Sequence, residues 1–255
     1  MKLGMPQLYE FDSVEENLKL AQELGLDFIE LNLNFGYCRK EMEACHLAPL
    51  LASYSLEATL HFYDEADFGS YDEVVDAYLK LLEKYAFLGQ GYIKQINIHL
   101  NPGPVVTIAG VKNYIYEKEF EAYIQRLSNS LYKATQILEP KGIKLVIENT
   151  DNTPEFLMNA YRFLLQEGYR FCFDIGHDHL SHDVLWNLSS DLCLPFDEFH
   201  IHDAKGRNKC HLALGEGELE ICKYKRLAEQ NDAYVVLEVK QASDLRASVP
   251  IFKAL

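Results

Sequence analysis

The chain has 255 residues, 48% hydrophobic and 25% charged, the balance of a globular protein able to bury a sizeable core. Its 24 basic residues against 39 acidic ones leave a net charge of −15. That balance disfavours nucleic acid as a partner, because such binders gain affinity when Lys and Arg release counterions from phosphates; a small molecule is the expected ligand. No apolar run approaches the roughly 20 residues that span a bilayer, and acidic residues interrupt MKLGMPQLYEFDSVEEN before a signal-peptide core could form.

Cys38, Cys45, Cys172, Cys193, Cys210 and Cys222 form no C-x-x-C pair, and read as reduced, mostly buried thiols of a cytoplasmic protein. In chain order, Lys2–Met5 opens as a short strand. The helix SVEENLKLAQELG follows, with Ser13 as N-cap, Glu16 three residues on to complete a capping box, and Gly25 as stop. The segments DFIELNL, EATLHF, IKQINIHL, IKLVIEN, RFCFDIG, EFHIHD and AYVVLEV read as further strands. Between them, helical patterns cover Asp72–Leu88, Glu117–Leu138, Pro154–Glu167 and Lys223–Gln230, and an interrupted one follows Asp178 through SHDVLWNLSS. Eight strands with intervening helices and no composition break predict one α/β domain over 1–255, a closed (β/α)8 TIM barrel.

Seven of the eight strands end on a residue that binds metal or moves protons: Glu30, His61, His99, Glu148, Asp174, His200 and Glu238. Strand C-termini of a barrel converge on one face, where active sites are built. Alternation puts His200 with His202, and Cys172 with Asp174, on the inner face, and turns Phe173, Phe199 and Ile201 toward the helices. One polar strand end is an ordinary loop entry; seven in register are not, because converging carboxylates repel unless cations neutralise them. Glu148, Asp174, His200 and Glu238 offer an oxygen-rich set suited to Mn²⁺, Mg²⁺, Co²⁺ or Zn²⁺. His61 and His99 either add a second metal, Zn²⁺, beside Glu148 or donate hydrogen bonds to substrate hydroxyls.

The segment HIHDAKGRNKCHLALGE carries His211, the cations Lys205, Arg207 and Lys209, and a Gly215–Gly217 turn that can cover the site. His177 falls just past the sixth strand, whereas His179 and His182 read as surface residues and Trp186 as helix packing. Phe35, Tyr37, Phe62, Tyr63 and Phe68 are placed in loops after the second and third strands, where they wall a pocket or cap the barrel.

LVIEN, FDIGHDH, HIHDAKG…HLALGEGEL and VVLEV together resemble the xylose-isomerase-like TIM-barrel superfamily, which groups sugar phosphate isomerases and epimerases with AP endonuclease family 2 of the endonuclease IV type. The resemblance implies one divalent metal on Glu148, Asp174, His200 and Glu238. It also implies that Glu148 and Glu238 relay a proton through an enediolate from opposite faces of the sugar, with His177 and Arg207 near the substrate; Glu30 and His211 are further candidate substrate contacts. Its endonuclease branch implies zinc on His61, His99 and Glu148, a second on the quartet, and a third that takes His177, His211 and an aspartate two residues before His211. That position is Lys209 here, which counts against a trinuclear phosphodiesterase. The expected activity is therefore metal-dependent sugar isomerisation or epimerisation. A di-zinc phosphoester hydrolase is the alternative, and a barrel that binds metabolite or metal without turnover a further one.

Overall fold

A computed structural model describes residues 1–151, 153–187 and 196–255. Eight parallel strands close into a barrel in the order β1 (Lys2–Pro6), β12 (Tyr234–Leu237), β9 (Phe196–Ile201), β8 (Arg170–Asp174), β7 (Lys144–Glu148), β4 (Ile93–His99), β3 (Glu57–His61) and β2 (Phe28–Asn32). The eight strands agree with the expected ones to within a few residues, and the TIM barrel is as predicted.

Alternation divides the molecule into two interiors. Outward residues such as Ile29, Leu31, Leu60, Ile96, Ile147, Phe173, Phe199, Val235 and Leu237 are buried against the helices in one continuous hydrophobic core. Each such side chain contributes about 1.5–3 kcal/mol of burial. The inward side is far more polar: Glu30, Thr59, Gln95, Asn97, Glu148, Asp174, Glu198 and His200 are all buried. Register then aligns the chemistry at one end, pairing His99 with Glu148, and Asp174 with His200.

The helix Val14–Glu23 shows how local signals position the mouth. Ser13 and Glu16 form the predicted capping box, and Gly25 follows the helix at φ 60°. Val14, Leu18 and Ala21 recur on the core side. The fully buried Asn17 accepts from Leu8 N at 2.8 Å and donates to Ser13 O at 2.9 Å, fixing the loop after β1. The Tyr37 hydroxyl donates to Leu8 O at 3.0 Å and holds the same loop from the other side.

Several elements depart from expectation. Helices Gly36–Glu43 and Leu47–Tyr54 fill the unit after β2, so Tyr37 is helical rather than in a loop. The pattern over Glu117–Leu138 is broken into Ile115–Lys118 and Phe120–Leu138. Two hairpins were not foreseen. β5 (Val105–Ile108) and β6 (Val111–Tyr114) join through Ala109 and Gly110, both at positive φ, as a tight two-residue hairpin loop requires. β10 (Asp203–Lys205) and β11 (Lys209–Leu212) form the other, within the His-rich segment. The interrupted helix after Asp178 partly falls at 188–195, outside the described residues.

Phe62 and Phe68 are fully buried, and Trp186 stacks on Phe173. Cys38 and Cys172 are buried, Cys210 and Cys222 half-buried and Cys45 exposed, so the five described thiols, all free, are not mostly buried; Cys193 lies outside the described residues.

Candidate active site

Glu148, at the end of β7, is the hub of the mouth. Its Oε2 accepts from Asn97 Nδ2 and lies 3.2 Å from His99 Nε2 and 3.5 Å from His61 Nε2. The two histidine Nε2 atoms are themselves 3.2 Å apart, so His61, His99 and Glu148 present three donors to one point. On its other side, Glu148 Oε1 lies 3.1 Å from His200 Nδ1, and that same nitrogen is 3.2 Å from Glu238 Oε2. His200 Nε2, at the opposite end of the ring, faces Glu30 Oε1 at 3.3 Å. Glu30 is 3% exposed and His200 fully buried, so both belong to the barrel interior.

Asp174 is held from several directions. Asn149 bridges the ends of β7 and β8 by donating to Asp174 O at 2.8 Å and accepting from Asp174 N at 2.9 Å. The carboxylate caps helix Ile175–Leu180 by accepting from His177 N at 2.7 Å, and His177 Nδ1 lies 3.4 Å from it and 3.9 Å from Glu148. His202 Nε2 sits 3.0 and 3.2 Å from its two oxygens. Because His202 Nδ1 accepts from His211 N at 2.8 Å, the His202 proton is on Nε2 and points at Asp174. The His202 ring occupies the space a Cβ on Gly176 would need, so only glycine fits there.

Charge in the mouth is balanced internally. Burial alone would raise the Glu148 pKa, but His200 and His99 hold it well below the usual carboxylate range. Glu238 is likewise held well below that range despite burial, by Lys240, His211 and His200. Burial opposes protonation of His61, yet its hydrogen bond to Glu148 and the charge of Glu30 raise it to about 10; His177 is raised to about 10 against burial by Asp174. Burial instead pushes His211 down to about 4. Imidazolium protons therefore supply the positive charge that the buried carboxylates require.

The donor set suits a divalent metal. Glu238 Oε2, Glu30 Oε1 and His200 Nε2 are buried without an aligned hydrogen-bond partner, a costly state that a cation on the carboxylate side relieves. Glu148, Asp174, His200 and Glu238 combine three carboxylates with one imidazole, the ligand chemistry of Mn²⁺, Mg²⁺, Co²⁺ or Zn²⁺.

The strand-end residues expected from sequence thus meet around Glu148, with His177 beside them and His211 reaching Glu238 O through Nδ1 at 3.0 Å. Glu30 lies against His200 and also lines a cavity of about 100 Å³ with Gln7, Tyr9, Phe35, His61 and Lys240. Arg207 is not brought into the cluster: it donates to His179 O and pairs with Asp183 at 3.6 Å, on the outer side of the hairpin. Lys205 and Lys209 are exposed. The cation that does reach the site is Lys240, 2.7 Å from Glu238 Oε1, which sequence reasoning missed although it shares the alternation of Glu238. Asn97, Asn149 and the His202 contact to Asp174 were missed too; the H-x-H spacing of His200 and His202 was the available signal. A roomier cleft of about 370 Å³ beside Tyr132, Glu139 and Arg170 lies near the strand N-termini, away from these groups.

Known proteins place the fold. The sequence profile of the xylose isomerase-like TIM barrel matches residues 18–255. A comparison with the curated proteins finds no significant match. Among solved structures, a D-tagatose 3-epimerase-like protein superposes with a TM-score of 0.78 at 20% identity, covering 100% of this chain and 96% of its own. The 3-keto-D-glucoside 4-epimerase YcjR from E. coli gives 0.79 at 16% identity and full coverage of both chains. The IolI protein with a zinc atom gives 0.72 at 14% identity, covering 100% and 96%. At these identities the likeness is one of fold.

Proposed function

The chain belongs to the xylose isomerase-like TIM-barrel family, and from that premise we propose that it is a metal-dependent isomerase or epimerase of a sugar, sugar phosphate or related hydroxy-carbonyl compound. The observation that carries this reading is the placement of Glu148 and Glu238 within 3.2 Å of one nitrogen, His200 Nδ1. Asp174, His200 and the two glutamates would hold the cation, which when bound supplies positive charge opposite an enediolate developing on the substrate.

The protein's own groups do the rest. Both glutamates stand as carboxylates, so either can take the proton from the carbon next to the carbonyl and release it to solvent, while the partner takes a proton from solvent and delivers it to the other face. Lys240 and the imidazoles of His61, His99 and His177 surround the same space with donors for hydroxyl and carbonyl oxygens. Tyr9 and Phe35 border the cavity with apolar surface of the kind a sugar's C–H face packs against.

The test is solvent exchange in D₂O across a panel of ketoses and their phosphates. Wild-type protein is expected to incorporate deuterium at the carbon next to the carbonyl, and Glu148→Gln and Glu238→Gln to lose incorporation by at least about 10²-fold. Unchanged exchange in both variants would sink the assignment. A second reading, phosphoester hydrolysis, draws on the convergence of His61, His99 and Glu148. It requires phosphoester turnover that disappears in His61→Ala and His99→Ala.

A further inference from the structure

The hairpin of β5 and β6 stands clear of the barrel. Every residue from 104 to 113 is exposed, and Val106, Ile108 and Val111 keep 46%, 63% and 62% of their surface in solvent. Register pairs Val106 with Asn113 and Ile108 with Val111. Directly opposed residues share a face, so these four lie on one side of the hairpin. Asn113 Nδ2 donates to Val111 O at 2.9 Å and to Val106 O at 3.3 Å, which leaves the face to three β-branched apolar side chains.

The base of the hairpin is locked to the barrel. Ile115 N extends the ladder by donating to Pro104 O at 3.1 Å. Tyr116 is buried, donates to Asp67 Oδ2 at 2.7 Å and stacks on Tyr123 with centroids 4.8 Å apart. Its ring fills the space that a Cβ on Gly103 would need. The apolar face is therefore held out in water by a rigid mounting, and contiguous exposed apolar surface of this kind marks a contact site. Monomeric proteins blunt exposed strands with charges, Pro or bulges. β5 carries no charge, and β6 only Lys112, which is paired with Thr107 on the other side.

Charge decides what covers this face. Residues 100–116 hold one charged side chain, Lys112, in a chain that is 25% charged and carries a net −15. A basic partner would be drawn to the acidic surface instead. Two copies of an acidic chain repel each other, and they can meet only where the charge is missing. An uncharged apolar face is complementary to itself, as the isologous contact of a two-fold dimer requires.

We propose that the β5–β6 hairpin is the contact through which two copies of this chain associate about a two-fold axis, Val106, Ile108 and Val111 of each packing on the same face of the other. The exposed stretch from 104 to 113 falls short of the roughly 20–30 residues a side that a stable interface uses, so the dimer is reversible and concentration-dependent. The hairpin follows the strand that ends on His99, which puts the contact on the side of the barrel that carries the mouth.

Sedimentation equilibrium of the intact chain, from micromolar to millimolar concentration, tests this directly. The mass is expected to rise from one chain toward two, and added salt to tighten association by screening the repulsion between copies. Ile108→Lys and Val111→Lys should each weaken it at least about tenfold. Both sites are more than half exposed, so the fold should stand, and thermal unfolding checks that it does. Phe87→Lys, at an equally exposed apolar site near the C-terminal end of helix Asp72–Leu88, should change nothing. A wild type that stays monomeric throughout overturns the proposal, as does a dimer untouched by both hairpin variants or one lost in Phe87→Lys. Association loosened by salt overturns it too, because ion pairs then hold the copies together. A monomer that co-floats with phosphatidylcholine vesicles overturns it in favour of a lipid surface. The readout needs no turnover, so its failure is distinct from failure of the isomerase reading.

Discussion

The ring of His200 faces carboxylates at both ends, Glu148 and Glu238 at Nδ1 and Glu30 at Nε2, the last 3.3 Å away and without an aligned hydrogen bond. A carboxylate beside Nε2 favours the proton there and leaves Nδ1 to the quartet. This makes Glu30 a positioning residue more than the substrate contact expected from its place at a strand end. Outer-shell partners of histidine ligands are worth about 10–100-fold in metal affinity. Glu30→Gln is expected to weaken Mn²⁺ binding by about that factor in calorimetric titration, and unchanged affinity would leave Glu30 a substrate contact only. The strand-end residues were legible because strand alternation and a shared barrel end need no knowledge of loops. His202 and Lys240 were harder to read. They lie just past the ends of β9 and β12 and keep the alternation of His200 and Glu238, which gives their face but not their partners, Asp174 and Glu238.

Elements are tied together at the end of the barrel away from the chemistry. Asp197, at the start of β9, accepts from Arg170 Nε of β8 at 2.9 Å and from Lys144 Nζ of β7 at 3.2 Å, linking the N-terminal ends of three adjacent strands. Burial works against ionisation of Asp197, but Arg170 and Lys144 outweigh it and hold its pKa below the ordinary value. A carboxylate depressed in the fold stabilises above its unfolded pKa, and that stability is lost as pH falls through the folded value. Asp197→Asn should cost about 1–2 kcal/mol at neutral pH, because Arg170 and Lys144 are exposed enough to be resolvated. The deficit should shrink as pH falls below about 4 in urea unfolding; a deficit constant with pH would contradict this role. Secondary structure was legible to the same extent as its local signals. The capping box of Ser13 and Glu16 and the apolar spacing of Asp72–Leu88 announce their helices. The hairpin of β5 and β6 turns on Ala109-Gly110, where the expected cue is Asn-Gly or Asp-Gly.

As a whole the molecule is an acidic barrel with a polar axis inside an apolar sleeve. Among the described residues no helix is long and apolar enough to cross a membrane. Gathering Glu30, Glu148, Asp174 and Glu238 at one end brings together oxygen ligands that the unfolded chain would scatter, so the folded state is the form a cation binds. Mass action then stabilises it by about 2.7 kcal/mol at a hundred times Kd. The measurement that tests the central claim most directly is calorimetric titration of chelator-stripped protein with Mn²⁺, an ion suited to the quartet. The account predicts one Mn²⁺ per chain, with binding lost in Asp174→Asn and Glu238→Gln. No binding to the wild type, or binding untouched in both variants, would contradict it.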